Sequence, residues 1–177
     1  MGLTLAPQAA TVAMRPLDDA DRPAFDRLLQ CYESEFSRLT GKLPDRDGLF
    51  ALDTQLDDRH HAFLGWMGER PFGFCVIRTG EDGCEVCEFF VVPAARGRGV
   101  GRFLATTVFD RHPGPWQVKQ IAGAQGAVAF WRRVVAQYTG NDFIEDVVDD
   151  PDWGTVGRQV FQSPGASRDG ANRSGLL

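Results

Sequence analysis

At 177 residues, 43% hydrophobic and 24% charged, the chain has the length and composition of one soluble domain with a sizeable core. Its 19 Lys and Arg against 24 Asp and Glu leave a net charge of −5, and without a basic run it lacks the footprint of a nucleic-acid binder. No segment is apolar enough to cross a bilayer, Met1 to Ala10 lacks a signal-peptide pattern, and Ala6 breaks the myristoylation pattern, so the expectation is a cytoplasmic protein without membrane partners.

Residues 1–10 read as a tail. Thr11 to Arg15 reads as a first strand, after which Asp18 or Asp19 is placed to cap a helix through about Leu39. Phe25, Leu28, Leu29, Tyr32 and Phe36 form its apolar stripe, and Gly41 stops it. The mixed stretch Lys42 to Arg59 is expected to hold a short helix. An apolar hairpin follows from His61 to Arg78, turning at Gly68-Glu69-Arg70-Pro71, and the Gly80–Gly83 turn leads into a strand from Cys84 to Val92.

Gly99 to Arg111 then has helical spacing, with Phe103, Leu104, Val108 and Phe109 facing inward. Trp116 to Ile121 reads as a strand and Ala127 to Tyr138 as a helix closed by Thr139-Gly140. Phe143–Val148 and Gly157–Gln162 read as a last antiparallel pair, and Ser163 to Leu177, rich in Gly, Ser, Arg and Asn, as a disordered tail. Strands mixed with helices, and hairpins at both ends, favour an α/β layer architecture.

Of the four cysteines, Cys31, Cys75, Cys84 and Cys87, the last two form a C-x-x-C. No second Cys/His pair follows at zinc-site spacing, and both lie in a strand, so they read as small reduced hydrophobes and no metal is expected.

The chemistry concentrates where the Cys84–Val92 strand runs into Pro93. Gly97, Gly99 and Gly101 alternate just as a helix begins. Glycine lets backbone N–H groups approach an anion closely, and a helix start adds unpaired donors and a partial positive charge. Arg96, Arg98 and Arg102 bring further charge, so a diphosphate is the natural occupant. The spacing is G-x-G-x-G rather than the dinucleotide G-x-G-x-x-G, and the P-loop G-K-[ST] is missing.

What matches is R-x-x-G-x-G, Arg96 to Gly101, preceded by V-x-P at Val91 to Pro93. This resembles the GNAT family of N-acetyltransferases, whose hallmark loop binds the pyrophosphate of acetyl-CoA. Glu85-Val86-x-x-Phe89-Phe90-Val91-x-Pro93 looks like the family's fourth strand, and Ala127-x-x-Phe130-Trp131 like its later helix. Residues 11–162 can be laid onto that fold, which implies a mixed, mostly antiparallel sheet with splayed central strands flanked by helices. The resemblance implies acetyl-CoA contacts from Phe90, Val91, Val92, Arg96, Gly97, Arg98, Gly99, Val100, Gly101, Arg102, Gln125, Phe130 and Trp131, with the backbone of Phe90 to Val92 running beside the pantetheine. Gly101, Phe103, Leu104, Phe130 and Trp131 serve equally well as packing residues.

N-acylation needs an amine free of its proton, and an alkylamine has a pKa of ~10, so a base is required. Family members often carry a carboxylate on the fourth strand for this, which makes Glu85 and Glu88 the candidates. Three apart on a regular strand they face opposite sides, unless a bulge, common in this strand of the family, intervenes. Asp45, Asp53, His60 and His61 are weaker alternatives. The family frequently has a Tyr after Phe130 as general acid toward the thiolate; here Trp131 stands there, and Tyr138 is the one substitute on that helix. The family's helix-starting Asn corresponds to Ala124, with Gln125 as replacement. The expectation is an acetyl-CoA-dependent enzyme that acetylates a primary amine of a small molecule or peptide by direct attack; a homodimer is compatible with it. An idle acyl-CoA-binding sensor and transfer of a larger acyl group are the alternatives. The regions Tyr32 to Arg59 and Asp142 to Trp153 are expected to shape the substrate pocket, and their mixed aromatic and acidic content, including Asp146, Asp149, Asp150 and Asp152, suggests a small cationic or amino substrate.

Overall fold

A computed structural model describes residues 11–166. The expected tail at residues 1–10 and residues 167–177 of the expected C-terminal tail lie outside it.

Strand β1 (Val12–Pro16) leads into helix α1 (Arg22–Thr40). The helix starts later than expected because Asp18 does not cap it: its carboxylate instead accepts the Asp21 N–H at 2.8 Å, and Asp21 becomes the N-cap with Pro23 in the first turn. Gly41, at φ 71°, ends the helix, and its N–H bonds to the Ser37 carbonyl at 2.8 Å.

Residues 42–59 form no helix, contrary to expectation. Pro44 and Gly48 interrupt the stretch, and the Asp45 carboxylate accepts the N–H groups of Asp47 and Leu49, each at 2.9 Å, making a local turn. Gln30 of α1 pins the segment by receiving the Phe50 N–H at 2.8 Å and donating to the Phe50 carbonyl at 3.1 Å. The result is an ordered strap lying against the C-terminal half of α1.

Strands β2 (His60–Met67), β3 (Arg70–Gly80) and β4 (Gly83–Val91) follow as a meander with the turns where the glycines anticipated them. The β3–β4 approach is tight at Gly73, where a Cβ would lie 2.2 Å from the Phe90 carbonyl oxygen. Helix α2 (Val100–Arg111), strand β5 (Gly114–Ile121), helix α3 (Gln125–Thr139) and the hairpin β6 (Phe143–Asp150) and β7 (Gly154–Ser163) complete the chain. The strand β7 keeps Ser163, whose hydroxyl donates to the Phe109 carbonyl at 2.8 Å, and Ala166 N–H reaches the Asp110 carbonyl at 3.0 Å. The start of the expected tail is therefore tied to the domain.

The seven strands form one sheet in the order β1-β2-β3-β4-β5-β7-β6, antiparallel at every pair except β4–β5. That parallel pair is brief: only Cys84–Val86 of β4 meets Trp116–Val118 of β5. Beyond it, among the described residues, the edge of β4 from Cys87 to Val91 pairs with no strand on the β5 side. Helix α1 covers one face through Phe25, Leu28 and Leu29 packed on Leu64, Phe74 and Phe90. Helices α2 and α3 cover the other through Leu104, Val108, Phe109, Trp131 and Val135 on Trp116, Val118 and Phe161. This is the mixed α/β layer expected, with the splay at its centre. Among the described residues no helix is long and apolar enough to cross a membrane. Cys84 packs into the core under α2 and α3 while Cys87 packs into the core under α1, so the C-x-x-C thiols stand on opposite faces of the sheet.

Candidate functional site

The strand-to-helix loop follows directly from its glycines. After β4 a single 3-10 turn, Pro93–Ala95, redirects the chain, and Gly97 and Gly99 adopt φ of 75° and 78°, a conformation costly for residues with a Cβ. Gly99 is the N-cap of α2 and offers no side chain to the helix end. The first internal backbone bond of the helix runs from Phe103 N–H to the Gly99 carbonyl at 3.0 Å. Among the described residues the N–H groups of Gly97 to Arg102 have no backbone acceptor, which leaves a row of donors at the positive end of a helix dipole. Gly101 serves another purpose: a Cβ there would lie 3.2 Å from the Phe130 ring and 3.4 Å from Val91, so its absence lets α2 close onto α3 and β4.

Arg96 does not point its charge into this loop. Its Nε donates to the Val91 carbonyl at 2.8 Å, and its two terminal nitrogens grip both oxygens of Glu35 on α1 at 2.9 and 2.8 Å. The guanidinium also lies 5.7 Å from the centre of the Phe90 ring. Arg96 is thus a clamp between the loop and α1, whereas Arg98 is exposed and Arg102 reaches only Gln137 at 3.4 Å. The Arg96 hydrogen bond holds the Glu35 carboxyl below its usual range against the opposing effect of partial burial. A lowered carboxyl pKa stabilises the fold above the ordinary glutamate value and stops doing so as pH falls through the lowered one. Arg96→Gln is expected to cost about 1 kcal/mol, the pair being partly solvated, or ~2–4 °C of melting temperature at neutral pH. Thermal denaturation across pH checks this, and the difference from the parent protein should shrink in acid.

A bulge sets the carboxylates of β4. The register runs Ile77↔Val86 and then Val76↔Glu88, so Cys87 is the extra residue. Glu85 pairs with Arg78 and Glu88 with Val76, two positions on one side of β3, so both glutamates face α1. Their surroundings differ. Glu85 is taken up by cations, with Arg78 at 2.6 Å and Lys119 at 3.1 Å, and it also accepts from Gln117 at 3.0 Å. Lys119 continues the chain to Asp150 at 2.9 Å.

Among the described residues no cation pairs with Glu88. It is 6% exposed, lies where β4 and β5 part, and accepts the Thr54 hydroxyl at 2.5 Å. Burial pushes its carboxyl above the usual range, the negative charges of Glu33 and Asp53 push the same way, and the hydroxyls of Thr54 and Tyr32 oppose them. Tyr32, itself raised by burial and by the Glu88 charge, stacks on Phe36 with ring centres 5.4 Å apart. Trp153 of the β6–β7 turn meets Phe36 at 5.7 Å, so the last hairpin leans over the same end of the site.

The other sequence candidates lie in supporting positions. Asp45 builds the turn in the strap. His60 bonds to Asp57 at 2.6 Å, and His61 lies 3.4 Å from the Thr79 hydroxyl and 5.8 Å, centre to centre, from the His112 ring. Phe130 stacks on Phe89 at 5.3 Å and Trp131 meets Phe89 edge-on at 4.8 Å, so both pack α3 against β4. Tyr138 donates to Asp110 at 2.7 Å and lies 2.8 Å from the Ser163 hydroxyl, and burial, foremost, raises its pKa to about 12. Gln125 opens α3 and lines a surface cavity with Gln120 and Gly157. Tyr32, Glu33, Lys42 and Thr54 all lie in the Tyr32–Arg59 region expected to shape the substrate pocket, although the sequence singles out none of them as a site residue.

The family model for the acetyltransferase (GNAT) family matches residues 24–135. A comparison with curated proteins finds no match. Among solved structures, the ribosomal-protein-S18-alanine N-acetyltransferase from Escherichia coli is similar at TM-score 0.57 and 14% identity, over 90% of this chain and 98% of that one. An acetyltransferase from Thermus thermophilus gives TM-score 0.59 at 20% identity, over 87% and 98%. A Bacillus anthracis str. Ames structure in complex with acetyl coenzyme A gives 0.55 at 11%, over 86% and 99%. These likenesses confirm the fold, and the family match covers most of the chain, including β4, the glycine loop and α2: the chain belongs to the GNAT family of acetyltransferases.

Proposed function

We propose that this enzyme acetylates a primary amine with acetyl-CoA in a ternary complex, using Glu88 as the base. The observation that carries the reading is the pairing of two features on one strand. The unpartnered N–H groups of Gly97 to Arg102 fit a pyrophosphate, and the free edge of β4 from Cys87 to Val91 fits the amides of a pantetheine arm. The loop of Gly97 and Gly99 is open, since no atom lies within 4 Å of where a Cβ would stand on either.

Acetyl-CoA supplies an activated acetyl thioester. The amine nitrogen forms the new bond to the acetyl carbon as the carbon–sulfur bond breaks, and Glu88 accepts the proton the nitrogen sheds. Direct transfer relies on proximity and on a desolvated base rather than on a covalent enzyme intermediate. Trp131 has no acidic proton to give, and Tyr138 is engaged by Asp110 and Ser163, so the thiolate takes its proton from water. A thiol of pKa ~8.5 is a tolerable leaving group without further help.

Glu85 is the less suited carboxylate because Arg78 and Lys119 stabilise its charge. We assign it to holding β5 and, through Lys119 and Asp150, the β6–β7 hairpin in place. Binding and turnover together test the function: calorimetric titration with acetyl-CoA should show one site per chain, and chromatography should show CoA released only when an amine is added. Binding without amine-dependent release would favour the idle sensor, and no binding would remove both readings.

A further inference from the structure

From the strap and α1 we infer that the acceptor amine carries a second cationic group, which docks between Glu33 and Asp53 where Lys42 now lies. This rests on the assignment of Glu88 as the base. Glu33 is 1% exposed, and a carboxylate so buried demands a cation. The partner present is Lys42, whose Nζ lies 2.9 Å from one oxygen of Glu33, 2.6 Å from Asp53 and 3.0 Å from the Ala51 carbonyl. Partial burial works against that ammonium, but its bonds to Asp53 and Glu33 prevail and hold its pKa above the usual lysine value. Lys42 is therefore a resident alkylammonium and not a nucleophile.

Glu33 Oε1 is buried and has no hydrogen-bond partner among the described residues. Among the described residues one lysine pairs with Glu33 and Asp53, and no cation pairs with Glu88. The geometry links this cradle to the base: Lys42 bridges Glu33 to Asp53, and Thr54, the next residue, donates to Glu88 at 2.5 Å. A molecule with ammonium groups at both ends can offer one nitrogen to Glu88 while the other satisfies Glu33 Oε1 and displaces the lysine of the strap. A monoamine leaves the second carboxylate oxygen as it is. Lys42, at the strap's beginning and 19% exposed at its side chain, is free to swing out to solvent when displaced.

The test compares α,ω-diaminoalkanes of three to six carbons with n-alkylamines of equal length. With the full chain and acetyl-CoA, the best diamine should show a KM at least about tenfold below its monoamine, the factor one added charge contact of ~1.4 kcal/mol supplies. Asp53→Asn, in the strap, and Glu33→Gln, in the helix, should each raise the diamine KM toward the monoamine value. Lys42→Met should tighten diamine binding in calorimetry performed without acetyl-CoA. Equal KM values for diamine and monoamine, a preference that survives Asp53→Asn, or weaker diamine binding by Lys42→Met would each overturn the inference. The calorimetric arm reads the cation site without turnover, so loss of acetyl transfer with every amine would strike the base assignment and leave this one separately measurable.

Discussion

Glu88→Gln should lower kcat/KM by roughly 10²–10⁴-fold, the usual contribution of a positioned general base. The change is nearly isosteric, and Gln can still accept the Thr54 hydroxyl, so acetyl-CoA affinity and melting temperature should hold. The pH profile gives an independent readout. Burial and the Glu33 and Asp53 charges raise the Glu88 pKa, so the active carboxylate is lost on acidification earlier than an ordinary glutamate would be. The acidic limb of kcat/KM should therefore lie above the usual glutamate range, with activity rising as pH increases through it, and should vanish in Glu88→Gln. Glu85→Gln, by contrast, should cost stability before chemistry, since it leaves Arg78 and Lys119 without their shared anion. A larger kinetic loss in Glu85→Gln than in Glu88→Gln, at equal folding, would exchange the two roles.

Gly99→Glu should weaken acetyl-CoA binding on the order of a hundredfold. A carboxylate at the helix N-terminus opposes a diphosphate where the dipole otherwise attracts it, an effect of up to ~2 kcal/mol in partly buried geometry. Bulk at a residue with φ 78° adds to it. Gly99→Ala separates the parts, because it carries the backbone strain without the charge and should lose much less. Calorimetry measures both variants, and equal affinity in Gly99→Glu and the parent protein would remove the anion site from this loop. Gly101→Ala acts elsewhere, against the Phe130 ring at 3.2 Å, and should report on α2–α3 packing.

The loop and the order of elements were legible in the sequence because both depend on local rules. Gly97 and Gly99 need positive φ, Gly41 and Gly140 end helices, and the alternating strand segments have period two. The strap was not. Residues 42–59 mix charges with Phe50 and Leu52 as a short helix could, but Pro44 and the Asp45 turn prevail, and the segment is held by Gln30 and Glu33 of a different element. The roles of charged residues were the least legible. Arg96 looked like a phosphate ligand, yet its partner Glu35 lies 61 positions away in sequence, a pairing only the fold creates. Likewise, one extra residue at Cys87 turns Glu88 to the same face as Glu85, a bulge that the family resemblance anticipates but no pattern in the strand locates. The Lys42 cradle requires the strap to fold back on α1, so nothing local singles out Glu33 or Lys42 within the Tyr32–Arg59 region expected to shape the pocket.

If the glycine loop and Glu88 serve one reaction, acetyl-CoA consumption and amine acetylation are inseparable. Quantifying both CoA and acetylated amine by mass spectrometry, with acetyl-CoA and a panel of mono- and diamines, tests it most directly. The parent protein should form both products in equimolar, amine-dependent amounts, and Glu88→Gln should retain acetyl-CoA binding with almost no product. Undiminished product formation by Glu88→Gln, or tight acetyl-CoA binding with no product from any amine, would contradict it.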